Sequence, residues 1–294
     1  MTRLILPFAL TLLFSNPTVK TLSPQEASNL FHRLDFAMIS DKPGAALAFR
    51  LKKDQKHRKV LLCFRQSCFQ ASSRWQFLAT DPNIAGSQVL VLANRQSQWT
   101  SRRIHLEANL WEQAHQKIAQ LRLPASVIKN LEDQSNEIAE NTLEDQKLFS
   151  SSVQLPWSTQ WVLPVHSKVT SEFGSLRVPP NGMPYVHTGV DLRALPNTPV
   201  RATSDGVVVG TDDEVIFGNV VSIDHGFGLL SRYMHLSSFN VNIGERVKAG
   251  DVIGLSGSSG RAEAPHLHWE MRVRGQPVDP LSTRRLLVRL SDLE

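Results

Sequence analysis

Between Leu155 and Leu281 the chain is divided into apolar stretches of four to six residues by recurrent glycine-containing turns. Gly206-Val-Val-Val-Gly210, Asn219-Val-Val-Ser-Ile223 and Arg246-Val-Lys-Ala-Gly-Asp-Val-Ile-Gly254 are examples. Segments this short, rich in β-branched residues, suit strands, because a helix needs ten or more residues to bury an apolar stripe. Helical periodicity is almost absent from this region. The pattern predicts a compact antiparallel β-sheet or barrel-like domain.

The full length, 294 residues with 41% hydrophobic and 20% charged side chains, leaves room for roughly two domains of about 150 residues. It excludes a disordered, collagen-like or polytopic membrane protein. Residues 22–110 also read mainly as strands, with apolar runs Ala45–Leu51, Val60–Phe64 and Val89–Ala93 bounded by turn residues. A short helix is expected near Pro24–Ile39. Residues 111–152 change character: Trp111, Ile118 and Leu121 recur at near-helical spacing, and an acidic stretch follows from Glu132 to Asp145. That predicts a helical connector ending at Ser150-Ser151-Ser152. The expected class is mainly β, with an accessory β domain over 22–110, a connector over 111–152, a second β domain over 153–285 and a tail at 286–294.

At the N-terminus, Leu4 to Phe14 form an 11-residue apolar run behind Arg3. A helix of that length rises only about 17 Å, short of the ~30 Å hydrocarbon core. It suits a secretory signal over residues 1–21, hence export to the periplasm or envelope and at most peripheral contact with a membrane. Cys63 and Cys68 flank the polar turn Arg65-Gln66-Ser67, a spacing that suits a local disulfide across a hairpin in an oxidising compartment. The net charge of +5 is concentrated: residues 1–150 carry 19 basic and 13 acidic side chains, and residues 50–59 alone carry six basic and one acidic. This segment is a candidate contact for anionic envelope polymers. Nothing in the composition points to nucleic acid.

The chemistry lies with the histidines. Six of the ten fall between positions 166 and 268. In extended backbone, side chains repeat every two residues, so His187 and Asp191 point to one side, and so do His266 and His268. Two such pairs can converge on one metal, and two His plus one carboxylate with a fourth position open is the ligand set of a catalytic zinc site. His235 lies between the pairs. His225, ahead of Gly226, suits a turn-stabilising hydrogen bond, and His166 suits the surface.

At these residues the sequence resembles the lysostaphin/LytM-type zinc endopeptidases of bacterial cell walls, from Val169 to Pro280. Thr170-Ser-Glu-Phe-Gly174 resembles the family's opening motif, and His187-x-x-x-Asp191 its first ligand pair. Asn197-Thr-Pro-Val200 with Ala202, Asp205-Gly206 and Val208 follows. Gly218-Asn219, Asp224-His225-Gly226, Tyr233-Met-His235-Leu and Gly257-x-x-Gly260 before His266-Leu-His268 complete the order. A fainter resemblance, carried by Arg74-Trp75 to Asp81-Pro82, Gly86 and Arg103-Ile-His-Leu106, links the N-terminal region to the β domain preceding the peptidase in some Gram-negative relatives.

The resemblance implies one zinc ion held by His187, Asp191 and His268, with His235 and His266 assisting the water and the oxyanion. It implies hydrolysis of peptide bonds in peptidoglycan stems or crosslinks, D-alanyl to diaminopimelate in a Gram-negative wall. No His-Glu-x-x-His helix supplies a carboxylate base here, and histidine is the other abundant group titrating near neutrality. Either His235 or His266 is the base. Tyr185 and Asn181 are candidates to reach the substrate. The rival expectation is a non-catalytic wall-binding module that activates a separate amidase.

Overall fold

The short apolar segments pair edge to edge, as their period requires. The computed structural model describes residues 34–38, 44–51, 60–64, 67–70, 76–79, 86–94, 99–106, 118–120, 141, 145, 148, 154–178 and 184–292. Upstream run β1 (Leu34–Met38), β2 (Ala46–Leu51), β3 (Val60–Phe64), β4 (Ser67–Gln70), β5 (Gln76–Ala79), β6 (Gly86–Asn94) and β7 (Trp99–Leu106). They form two antiparallel sheets, ordered β1-β2-β5 and β4-β3-β6-β7. The β3–β4 register sets Cys63 opposite Cys68 across the hairpin; their side chains, and the disulfide expected of them, lie outside the described residues. So do the signal segment at 1–21, Asn181 and residues 52–59 of the basic segment.

Two expectations of helix are corrected. Leu34–Met38, inside the short helix expected near Pro24–Ile39, is a strand whose Leu34 faces Leu51 and Met38 faces Leu47. The partner strand outweighs a weak local preference. Likewise Ile118–Gln120, inside the expected connector, forms β8 and pairs in parallel with Leu176–Val178. Three residues are too few to nucleate a helix, whereas each can join an existing ladder. Further along, Asn141, Asp145 and Leu148 are helical, and the rest of 111–152 lies outside the described residues.

The C-terminal half contains β9 (Val169–Ser171), β10 (Leu176–Val178), β11 (Tyr185–Val186), β12 (Val190–Arg193), β13 (Pro199–Arg201), β14 (Gly206–Glu214), β15 (Gly218–Asp224), β16 (Leu229–Phe239), β17 (Arg246–Val247), β18 (Val252–Ser256), β19 (His266–Val273) and β20 (Gln276–Val278). Ten of these strands make one sheet, ordered β17-β14-β15-β16-β19-β12-β9, with β18 bridging β13 and β16 and β20 beside β19. All its pairs are antiparallel. Along β19 the alternation divides two chemistries. Leu267, Trp269, Met271 and Val273 are fully buried in the apolar core with Val221, Ile223 and Tyr233. His266, His268, Glu270 and Arg272 take the other face.

α1 (Pro280–Ser291) closes the chain and crosses the 285/286 boundary drawn from the sequence. The Asp279 side chain accepts from the Leu281 N–H, 3.0 Å away, and Pro280 begins the helix, the usual chemistry of a helix start. Leu286, Leu287 and Leu290 are buried against the sheet. The N-terminal strands dock on the same body through Phe77, stacked on Trp157 with ring centroids 5.6 Å apart. The Arg274 Nε–H donates to the Phe77 carbonyl. No described helix is long and apolar enough to cross a membrane.

Candidate metal centre and cleft

β12 and β19 run antiparallel with Asp191 directly opposite His268. His187 enters from the end of β11, where its N–H and C=O bond Ser175 and Gly174. These placements bring three ligand atoms together. His187 Nε2 lies 3.1 Å from Asp191 Oδ1 and 2.9 Å from His268 Nδ1, and that Nδ1 lies 2.8 Å from Asp191 Oδ1. All three residues are buried. Gly189 makes the approach possible: a Cβ there would lie 2.6 Å from the Trp269 carbonyl and 2.9 Å from the His268 ring.

Each imidazole has its outer nitrogen engaged. His187 Nδ1 donates to the Glu172 carbonyl at 2.9 Å, since a carbonyl can only accept. His268 Nε2 faces Glu270 Oε1 at 3.4 Å. Glu270, fully buried, also accepts from Thr188 Oγ1 and from Arg272 Nε at 3.0 Å. The inner nitrogens, His187 Nε2 and His268 Nδ1, therefore turn toward Asp191 Oδ1. This is the outer hydrogen bonding that fixes the tautomer of a metal-binding histidine. The other Asp191 oxygen takes the Arg177 guanidinium.

These residues fit a small divalent cation. Tetrahedral ligands bonded at about 2.0–2.1 Å stand about 3.3 Å from one another, so the trio needs to open by only a few tenths of an ångström. The electrostatics agree. Burial disfavours the Asp191 carboxylate, but the two imidazoles more than compensate and hold its pKa well below the usual range. Burial also opposes charge on His268, yet Asp191 and Glu270 outweigh it and push the imidazole up to about 9. The site draws in positive charge, and its ligand set is the nitrogen and oxygen type that zinc accepts.

His235 and His266 stand beside this trio with ring centroids 4.8 Å apart. His235 occupies the point where β16 changes partners: Leu229–Met234 pair with β19, and Leu236–Phe239 pair with β18. Its backbone is left-handed there, φ 60°, and its N–H bonds the Phe217 carbonyl. A non-glycine residue costs free energy in that conformation, and such strain concentrates at functional sites. His235 Nδ1 donates to the Ser259 carbonyl and His266 Nδ1 to the Ala264 carbonyl, both at 2.8 Å. Burial, then repulsion from His266 and His268, lowers the His235 pKa to about 3, so it is neutral at pH 7.

The remaining singled-out residues separate by environment. His225 is buried, with Nδ1 donating to the Asp205 carbonyl and Nε2 2.7 Å from Ser231 Oγ, away from the metal trio. His166 is exposed. Tyr185 lines the cleft that opens over the trio, about 660 Å³ in volume, with Arg177, Arg193, Phe217, Arg261 and Glu263. Sequence reasoning missed Glu270, Arg177 and Phe217. The alternation of β19 offered a signal for Glu270, two residues beyond His268 on the same face. Arg177 and Phe217 come from turns and strands with no period linking them to the histidines.

Beneath the cleft lies a buried ionic cluster. The Arg232 guanidinium bonds Glu214 and both oxygens of Asp145, at 3.0 and 2.8 Å, and lies 5.4 Å from the Phe217 ring centroid. Phe217 in turn stacks on His268 at 6.3 Å. Asn141 Oδ1 accepts from the Val215 N–H at 3.3 Å. Asn141 thus holds the β14–β15 turn that forms one wall of the site, and Asp145 holds Arg232 on β16.

Residues 185–280 match the model of peptidase family M23. Over 118 residues the chain is 43% identical to the DD-carboxypeptidase/endopeptidase Mpg of Neisseria meningitidis, covering 40% of this chain and 27% of that protein. Over 121 residues it is 43% identical to the peptidoglycan DD-endopeptidase ShyA of Vibrio cholerae, covering 40% of this chain and 28% of that one. The chain therefore spans little more than a quarter of the length of these relatives. A crystal structure of a Pseudomonas aeruginosa protein assigned to peptidase M23 matches 85% of this chain and 95% of its own, with a TM-score of 0.59 and 21% identity, a likeness of fold. Residues 185–280 thus form a domain of peptidase family M23, the lysostaphin/LytM type.

Proposed function

We propose that the protein is a zinc metalloendopeptidase of the cell envelope that hydrolyses D-alanyl–diaminopimelate crosslinks in peptidoglycan. The observation that carries this reading is the convergence of His187 Nε2, Asp191 Oδ1 and His268 Nδ1 at the floor of an open cleft, beside two further imidazoles. The matched relatives are named for DD-endopeptidase activity, one of them on peptidoglycan. His187, Asp191 and His268 would hold one zinc ion, which supplies Lewis-acid polarisation of the scissile carbonyl and lowers the pKa of water to about 7. Asp191 keeps the ligand set anionic, and Glu270 and Glu172 keep the two imidazoles in the tautomers that expose lone pairs inward.

His235 and His266 divide the proton transfers. Each donates Nδ1–H to a backbone carbonyl, which leaves Nε2 as the working nitrogen. A neutral Nε2 takes a proton from the attacking water, and a protonated one stabilises negative charge on the carbonyl oxygen or delivers a proton to the leaving amine. Burial leaves the His235 Nε2 lone pair unprotonated at neutral pH, while the same shift weakens it as a base, so either imidazole can fill either role. His266, with a side chain 19% exposed, stands nearer the solvent side of the cleft.

The test is digestion of purified sacculi with the zinc-loaded full chain, followed by mass spectrometry of the muropeptides. Crosslinked dimers should fall and monomers ending in D-alanine should rise. No change, under conditions where a known endopeptidase works, overturns the reading.

A further inference from the structure

The wall of the cleft facing the imidazoles carries an arginine that neither metal binding nor proton transfer uses. The Arg261 guanidinium carbon lies 4.7 Å from the Tyr185 ring centroid, over its face, and both side chains line the cleft. The Arg261 backbone is fixed as well. Its N–H donates to the Ile216 carbonyl at 2.8 Å, and the preceding Gly260, φ 67°, packs against the backbone of Gly218, φ 62°. A Cβ on either glycine would collide with the other's segment, so only glycine allows the loop and the β14–β15 turn to touch. One residue earlier, the Ser259 carbonyl receives the His235 Nδ1–H. Arg261 is thus held in a set relation to His235 by a single short loop.

A guanidinium laid on an aromatic face keeps its N–H edge available, and that edge matches a planar carboxylate in two parallel hydrogen bonds. Among the described residues no carboxylate is bonded to Arg261, in contrast to Arg177, which is committed to Asp191. Glu263, two residues on, is exposed at the rim.

We infer that Arg261, seated on Tyr185, is the specificity-determining residue that binds a free carboxylate of the substrate beside the scissile bond. The inference rests on the peptidase reading for the identity of the substrate. It adds that this cleft takes peptides whose diaminopimelate carboxylates are free and discriminates against amidated ones.

Two synthetic D-alanyl–diaminopimelate peptides, identical except that the diaminopimelate carboxylates are free in one and amidated in the other, provide the test. Binding to the metal-free full chain is measured by calorimetry, so that hydrolysis does not intervene. The free acid should bind roughly 10- to 100-fold more tightly than the amide, the range of a charge-assisted hydrogen bond. Arg261→Gln should collapse that preference with the loss falling on the acid, Arg261→Lys should keep part of it, and Tyr185→Phe should keep nearly all of it. Thermal unfolding of each variant reports whether the loop has been disturbed. The inference is overturned if neither peptide binds, if Arg261→Gln retains the preference, or if it weakens both peptides equally. Acid-selective binding that depends on Arg261, without cleavage by the zinc-loaded chain, supports this subsite and overturns the peptidase reading instead.

Discussion

Glu270 and His268 form a carboxylate–imidazole pair along one strand: Glu270 Oε1 lies 3.4 Å from His268 Nε2, and the opposite nitrogen of that ring lies 2.8 Å from Asp191 Oδ1. They are two residues apart on β19, so the pleat places both on the face turned toward the cleft. The ring is oriented from behind and its lone pair is delivered forward. Replacing Glu270 with Gln should weaken zinc binding by roughly 10- to 100-fold, the usual effect of losing such a partner. Competition with a chromophoric chelator measures this, and an unchanged affinity would show that Glu270 is merely a partner of Arg272.

Metal should also stabilise the fold, because the trio joins β12 and β19 to the segment after β11. At a free zinc concentration 100 times Kd the gain is about 2.7 kcal/mol. Thermal unfolding with chelator and with added zinc should therefore differ for the parent chain. In His268→Ala the two curves should coincide while the secondary structure remains.

A pH dependence follows from His225. The residue is buried, and burial lowers its pKa to about 4 despite the Asp205 carbonyl that favours the charged form. Unfolded, it titrates near 6.5. Between those values the unfolded chain binds more protons, so stability is fully present above pH 6.5 and is lost as pH falls toward 4. His235, also neutral when folded, adds to the same slope. Urea unfolding from pH 7 to 4 should show this decline. His225→Gln should be less stable at pH 7 by about 1–3 kcal/mol, with a shallower slope.

Asp145 is bonded beneath the site to Arg232, whose side chain is 1% exposed. Asp145→Ala removes one of the carboxylates that hold that guanidinium while the bond to Glu214 stays, and the expected cost is about 1–3 kcal/mol in unfolding free energy. A chain beginning at Val153 lacks both Asn141 and Asp145, so it should show at least the same loss in denaturant unfolding. Equal stability of the shortened and full chains would mean that the boundary at 152/153 isolates a complete peptidase domain.

What was legible in the sequence follows local rules. A two-residue period with glycine turns is a property of the backbone, so the strands from Val169 to Val278 could be read directly. The chemistry of His and Asp, repeated at even spacing, marked His187, Asp191, His266 and His268 as companions before any contact was known. The short segments misread as helix, Leu34–Met38 and Ile118–Gln120, show the limit of such rules, because a strand of three to five residues exists only through its partner. Helix α1 was missed for a related reason: Leu286, Leu287 and Leu290 gain their meaning from the sheet they cover.

By itself, then, the sequence determined the residue types at the centre and the strand period that aligns them. Tertiary structure decided which atoms meet. The left-handed turn at His235, the exchange of partners along β16, the use of Nδ1 by His268 but Nε2 by His187, and the placement of Arg261 on Tyr185 all depend on neighbours 15 to 81 residues away. Hydrogen bonds, burial and backbone strain act over a few ångströms in space, and only the folded chain brings those distances into being.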